Sequence, residues 1–185
     1  MAGQARFTAV LDACVLFPIA TADALISLAV AGLFAAKWTV AIEAEWLAVA
    51  ERRHPGLAGR FTNRRDAMRD AVIDWEVPTK GWEALAPSLT LPDPNDVHVL
   101  AAAIAGHADC IVTTNLKDFP ASVLDIYGLI ALHPDDSIAV IQPRGCHNTP
   151  RTLVERLQSP GPGWRSRPCS GSSSDRLARL EAVAR

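Results

Sequence analysis

The side chains able to do chemistry in this 185-residue chain are, above all, acids set beside short apolar runs. Asp12 closes the run Phe7-Thr-Ala-Val-Leu11, and Asp118 follows the run Ile111-Val-Thr-Thr114 by four residues. Asp93 and Asp96 stand in Leu91-Pro-Asp-Pro-Asn-Asp96, and Glu43 and Glu45 lie near the start of a helix-forming stretch. Carboxylates gathered on one rim repel one another and hold their protons to higher pH unless a cation compensates. Hard divalent ions need such oxygen ligands, and Mg2+ takes only a few carboxylates, completing its shell with water and substrate phosphate. The pattern points to a divalent-metal site.

Each acid also has a plainer use. Asp12 can cap the loop after its strand, and Asp118 can be a surface loop acid. Asp93 suits a helix N-cap, with Pro94 at the first helical position and Asp96 as the N3 partner favoured by the helix dipole. Glu43 and Glu45 are about 200° apart on a helical wheel, so only one of them can face a common site. It is the recurrence of acids at strand ends, where open α/β sheets bind their ligands, that favours the metal reading.

Other chemistries find no motif. Asp12 is followed by Ala13 and Cys14, which breaks the Asp-x-Asp pattern of phospho-aspartate phosphatases. His54, His98, His107, His133 and His147 show no ligand spacing, and there is neither a serine-nucleophile motif nor a Gly-rich phosphate loop. Cys14, Cys110, Cys146 and Cys169 form no C-x-x-C pair, so neither a zinc site nor a disulfide framework is expected, and a reducing cytoplasm is the simpler setting.

The elements that must position the acids follow from composition and spacing. Residues 7–11 and 110–114 read as strands, with a further short strand at about 127–131. Ala22 to Phe34 reads as a helix. Trp38-Thr39-Val40 is β-capable, although Thr39 can equally cap the helix that runs on to about Glu51. Arg52-Arg-His-Pro-Gly56 breaks that helix. Asn63 to Trp75 reads as another, with Met68, Ala71, Val72 and Trp75 on one face and arginines on the other. A last helix runs from the Asp93 turn through Val99, Leu100, Ala103 and Ile104 to Gly106 or His107. Strands alternating with helices imply a parallel α/β sheet.

With 49% hydrophobic and 21% charged residues the chain suits one main globular domain. Its net charge of −2 conceals an asymmetry: residues 1–140 hold 10 basic and 17 acidic side chains, residues 141–185 hold 8 and 3. Within that basic tail, 11 of the 15 residues from Pro160 to Ser174 are Pro, Gly or Ser, as in a flexible linker. Thr149 to Leu157 has a good helix start, and Asp175 to Ala184 has the pattern of a short amphipathic helix. Asp12 interrupts the first apolar run, which argues against a signal peptide. The longest uncharged apolar stretch, Ala24 to Ala36, is 13 residues, against roughly 20 for a membrane span.

Four segments, in order, resemble the motifs of PIN domains, and most nearly those of VapC-like toxin components. They are Val10-Leu-Asp-Ala-Cys-Val-Leu16, Ile42-Glu-Ala-Glu-Trp46, Asp93-Pro-Asn-Asp-Val-His-Val-Leu-Ala-Ala-Ala103 and Ile111-Val-Thr-Thr-Asn-Leu-Lys-Asp-Phe119. The resemblance covers about residues 6–140, expected to form the nuclease domain, with 141–185 a partly disordered extension. It implies a three-layer, flavodoxin-like parallel sheet flanked by helices, and a Mg2+- or Mn2+-dependent endoribonuclease that cuts single-stranded RNA.

By position, Asp12, Glu45, Asp96 and Asp118 match the family's catalytic acids, with Asp12, Asp96, Asp118 and Asn115 on the metal. The Ile-x-x-Glu-Trp context favours Glu45 over Glu43. Asn115 stands where many members have a further Asp, which leaves open whether one ion or two bind. Cys14 occupies a place more often Asn or Ser, and Thr113 matches a frequent Thr or Ser near the acids. Arg52, Arg53, Arg64 and Arg65, with Arg60 and Arg69 beside them in sequence, are candidates for holding RNA; a solvated helix face is the plainer reading of the same residues. The resemblance further implies a small antitoxin partner, in whose docking surface Trp38 and Trp46 would take part only if they are not core, and a homodimer. The competing reading is a catalytically weak or inactive PIN-like module that binds RNA or protein, which Asn115 and the altered tail permit.

Overall fold

The computed structural model describes residues 7–141. Four short strands, β1 (Thr8–Leu11), β2 (Ala35–Lys37), β3 (Cys110–Val112) and β4 (Ile130–Leu132), form one parallel sheet in the order β2-β1-β3-β4. Successive parallel strands need crossovers, and helices supply them. Between β1 and β2 lie α1 (Ala13–Leu16) and α2 (Ile19–Val30). Between β2 and β3 lie α3 (Val40–Arg53), α4 (Ala58–Ala71), α5 (Thr79–Trp82) and α6 (Val97–Ala105). α7 (Ala121–Leu124) precedes β4 and α8 (Pro134–Ile141) follows it.

Every residue of β3 and all but the first of β1 are buried. A strand buried on alternating side chains has both faces covered, so the sheet is the middle layer of three. The core on either side is built from Val10, Leu11, Leu25, Phe34, Ile42, Trp46, Leu100 and Ile111. The chain leaves β1 towards β2 on one side and later enters β3 on the other, so the sheet reverses its winding between β1 and β3. At such a switch point the loops beyond the strand ends part, leaving a crevice for a ligand.

Several boundaries differ from those read in the sequence, each for a packing reason. The helix expected at 22–34 runs from Ile19 to Val30 and ends in a turn at Gly32, whose φ of 80° suits glycine. Thr39 is a helix cap: its Oγ1 accepts the Ile42 amide at 3.1 Å, and β2 lies just before it. The helix expected at 63–75 starts earlier, at Ala58, and stops at Ala71. Trp75 leaves it because residues 75–77 pair with Trp38, whose N–H donates to Trp75 O and whose carbonyl accepts from Val77 N, both at 2.9 Å.

That pairing satisfies a buried backbone that helix continuation would have orphaned. Trp38 and Trp75 then stack, ring centroids 5.2 Å apart. Trp38 and Trp46 are fully buried, so both are core rather than docking surface. Gly106 ends α6 where a Cβ would come within 2.9 Å of Val77 Cγ2 and 3.0 Å of Ala102 O, so that close approach demands glycine. Helix α8 had no counterpart in the sequence reading. No helix among the described residues is long and apolar enough to cross a membrane. The readings of 149–157, 160–174 and 175–184 lie outside the described residues.

Candidate metal centre

The parallel register of β1 and β3 pairs Leu11 with Val112, so the next residues along, Asp12 and Thr113, face each other at the sheet's carboxyl edge. Thr113 Oγ1 donates to Asp12 Oδ2 at 2.7 Å, and Cys14 Sγ donates to the same oxygen at 3.0 Å. The Asp12 amide donates to Val112 O, and its carboxylate makes no cap bond to α1, which sets aside the simple capping role. Asp12 is only 5% exposed. The Thr114 amide donates to Cys14 Sγ at 3.2 Å and the Asn115 amide to Thr113 Oγ1 at 3.0 Å, so the loop after β3 is tied to the turn after β1. Burial, followed by the charge on Asp12, pushes the Cys14 thiol up, away from the reactive thiolate.

Among the described residues, Asp93, Asp96 and Asp118 offer carboxylate oxygens that all lie within 4.8 Å of one another. Asp93 caps the 3-10 turn Pro94–Asp96, its Oδ1 accepting from the Asn95 amide and from Asn95 Nδ2. The sequence favours that capping role for Asp93, and the structure adds its carboxylate to the cluster. The same turn also carries Asp96 back toward it, and the Asp-Pro-Asn-Asp spacing was the available signal. Asp118 sits in the 3-10 turn Leu116–Asp118 and accepts a hydrogen bond from Asn115 Nδ2. Asn115, therefore, is a donor to the acid beside it.

Asp96 is the most perturbed acid of the group. Its carboxyl is pushed up to about 6, by burial first and then by Asp12, Asp93, Asp118 and Glu45. Its Oδ2 is buried with no hydrogen-bond partner. Glu45, on α3, is also raised, chiefly by burial, with Asp12 and Asp93 adding to the effect and His98 opposing it. Glu45 Oε2 lies 3.6 Å from His98 Nε2, a charge-pair distance too long for a hydrogen bond.

Glu43, one turn-face away, is enclosed elsewhere. It accepts from Trp38 Nε1 at 2.9 Å and from Nε and Nη2 of Arg69. Arg69 in turn lies 4.7 Å over the Trp75 ring. Of the two glutamates, Glu45 is the one that acts on the other acids.

The arginines divide. Arg64 is committed internally, donating to Leu16 O at 2.8 Å and Phe17 O at 3.1 Å while stacked 5.2 Å over Trp46. Arg69 is held by Glu43, Arg65 binds Asp66 and Arg53 lies over Phe17. Arg52 and Arg60 are exposed.

The donor set fits a hard divalent cation. Three carboxylates converge, and one of them has a buried oxygen without a hydrogen-bond partner. Leaving such a cluster without a counter-ion costs the repulsion that raises Asp96, whereas an oxygen-coordinated ion removes it.

A family profile described as PIN domain matches residues 8–117. A 41-residue segment is 61% identical to a Mycobacterium tuberculosis protein named "Putative ribonuclease VapC50", covering 22% of this chain and 24% of that one. The chain thus matches about a quarter of the length of that relative. The chain is also similar in structure to VapBC2 from Rickettsia felis, solved bound to a DNA fragment from their promoter. There the TM-score is 0.46 at 16% identity, over 69% of this chain and 98% of the other.

Proposed function

This chain belongs to the PIN-domain family, and from that premise we propose that it is a divalent-metal-dependent endoribonuclease cutting single-stranded RNA, the toxin half of a toxin–antitoxin pair. The observation that carries the reading is the convergence of Asp93, Asp96 and Asp118, joined to a buried Asp96 oxygen that has no hydrogen-bond partner. The 61% identity with a relative named as a ribonuclease supports the same direction, over a short segment.

Asp96 and Asp118 would hold Mg2+ or Mn2+, with Asp93 beside them and Asp12 completing the charge from the strand end. Such an ion lowers the pKa of bound water and stabilises charge on a scissile phosphate. The protein's own part is positional. Thr113 and Cys14 fix Asp12 in one orientation, because its Oδ2 receives both their hydrogens. Asn115 fixes Asp118 in the same way. Glu45, half-exposed at the edge of the cluster, is placed to accept a proton from water; its raised pKa makes it a better base than an ordinary surface glutamate. A phosphodiester strand brought to so acidic a rim needs cations beside it, and Arg52 and Arg53, which close α3, are the candidates from this chain.

The test is cleavage of a mixed single-stranded and structured RNA pool with Mn2+ or Mg2+, with EDTA, and with Asp12→Asn and Asp96→Asn alongside. Metal-dependent cutting lost in both variants is expected. A folded, metal-loaded, antitoxin-free sample that binds RNA without cutting it would instead establish the binding module that Asn115, in place of an acid, favours.

A further inference from the structure

The helix α1, four residues and about 6 Å long, carries the chain from Asp12 to Phe17. Arg64, reaching over from α4, donates to both Leu16 O and Phe17 O, so the end of α1 is held in place. The half-buried Phe17 ring lies beneath the Arg53 guanidinium, whose Cζ is 5.2 Å from the ring centroid. One turn before Arg64 on α4, Phe61 is half-buried too, with the His54 ring 6.1 Å away. Arg53 and His54 are exposed, as are Arg52 before them and Arg60 after them. Among the described residues no ion pair holds Arg52, Arg53 or Arg60, whereas Arg65 is paired with Asp66 and Arg69 with Glu43.

A solvated helix face has no need of aromatic rings under its cations. A guanidinium over a phenyl ring leaves its outer plane to solvent, and single-stranded nucleic acid stacks its bases on such planes and on aromatic rings. Position supplies the partner. Arg52 is seven residues beyond Glu45 on α3, hence on the same face and about 10 Å along it. A strand whose phosphate sits at the acids therefore meets Arg52, and the Arg53–Phe17 pair beside it, within a few nucleotides. Resting on the nuclease reading above, we propose that Arg53 stacked on Phe17 is a base-stacking shelf for single-stranded RNA, with Arg52 and Arg60 taking the adjoining phosphates. The shelf reads no particular sequence, because every base has a flat face. It selects single strands, because the bases of a duplex are already stacked on one another.

The experiment is fluorescence anisotropy of a labelled single-stranded RNA with the whole protein in EDTA, across a salt series, beside an abasic strand of the same length. Arg53→Lys keeps the charge and removes the plane. It should weaken RNA binding about 5-fold or more, with the salt slope and the abasic-strand affinity unchanged. Phe17→Leu, checked for folding by circular dichroism, should do the same. Arg52→Ala, which removes a phosphate contact, should instead weaken both strands alike and lower the salt slope by about 1. RNA affinity unmoved in Arg53→Lys overturns the proposal, as does an equal loss on RNA and on the abasic strand, which would make Arg53 a charge alone. No RNA binding by the unsubstituted protein overturns it as well. Cleavage with Mn2+ on the same samples keeps the two readings apart. A shelf that fails while the unsubstituted protein cuts leaves the nuclease standing, and base-dependent binding without cutting places the shelf on a binding module.

Discussion

Thr113 Oγ1 donates its hydrogen to Asp12 Oδ2 at 2.7 Å across 101 residues of sequence, joining the carboxyl ends of the two central strands. Both residues are buried, and the same hydroxyl oxygen accepts the Asn115 amide. One side chain therefore aims the strand-end acid and shapes the loop that carries Asp118.

Replacing that hydroxyl tests its weight. Thr113→Val keeps the volume but leaves the Asn115 amide without its acceptor and Asp12 with only the Cys14 thiol. A loss of about 1–3 kcal/mol is expected in urea denaturation, together with weaker divalent-ion binding. Thr113→Ser should recover most of both, since the oxygen returns.

Glu43 and Glu45, two residues apart, should separate cleanly. Glu43→Gln breaks the pairing with Arg69 beneath Trp38 and should cost roughly 2–3 kcal/mol of stability. Glu45→Gln lies at a half-exposed position and should leave the melting temperature nearly unchanged while abolishing or strongly slowing RNA cleavage. Thermal melts and cleavage rates on the two variants give the answer. An unstable Glu45→Gln or an inactive but fully stable Glu43→Gln would reverse the assignment.

The raised carboxyl of Asp96 makes a signed prediction about pH. Its pKa goes from an ordinary 3.8 to about 6 in the folded protein, so the folded state binds its proton more tightly than the unfolded chain. In the metal-free protein this contribution to stability is fully present below the ordinary value and is lost as pH rises through about 6. A divalent ion competes with that proton, so affinity should climb with pH up to about 6 and then level off. Below that point binding should release a proton, detectable by calorimetry in buffers of different ionisation heat. Asp96→Asn should remove this pH dependence of stability, weaken metal binding severely and disturb folding little. A melt that collapses while metal affinity survives would make Asp96 structural.

Asn115→Asp replaces a donor to Asp118 by a further acid. Without divalent ions the variant should lose about 1–2 kcal/mol near neutral pH, from the lost hydrogen bond and the new like charge. With Mn2+ it should gain more in melting temperature than the parent does, because an ion that binds only the folded state stabilises in proportion to its affinity. An equal shift in both would show that position 115 is not part of the metal site.

Much of this architecture was legible because it is local. The β-capable run ending at Asp12 and the apolar Cys110-Ile-Val112 carry their own strand signal. Asp93-Pro-Asn-Asp96 carries its own helix start, and the PIN-like order of motifs brought Asp12, Glu45, Asp96 and Asp118 forward together. Where the reading went astray, a distant partner was responsible. Trp75 has helical spacing with Met68 and Val72, yet it leaves α4 because the backbone of Trp38, 37 positions earlier, needs its hydrogen bonds.

The candidate site divides along the same line. Sequence by itself determined which residue types were available, and that acids end strands and begin a helix, because propensity, capping and periodicity act over a few residues. Only the tertiary structure decided which of those acids meet. The β1–β3 register sets Asp12 against Thr113. The turn at Pro94 brings Asp93 as well as Asp96 to Asp118, a convergence that a capping role had hidden. A knot of Trp38, Arg69 and Trp75 claims Glu43, leaving Glu45 to face His98. Charges interact through space, with strengths set by distance and burial, and neither quantity is written in the spacing of residues along a chain.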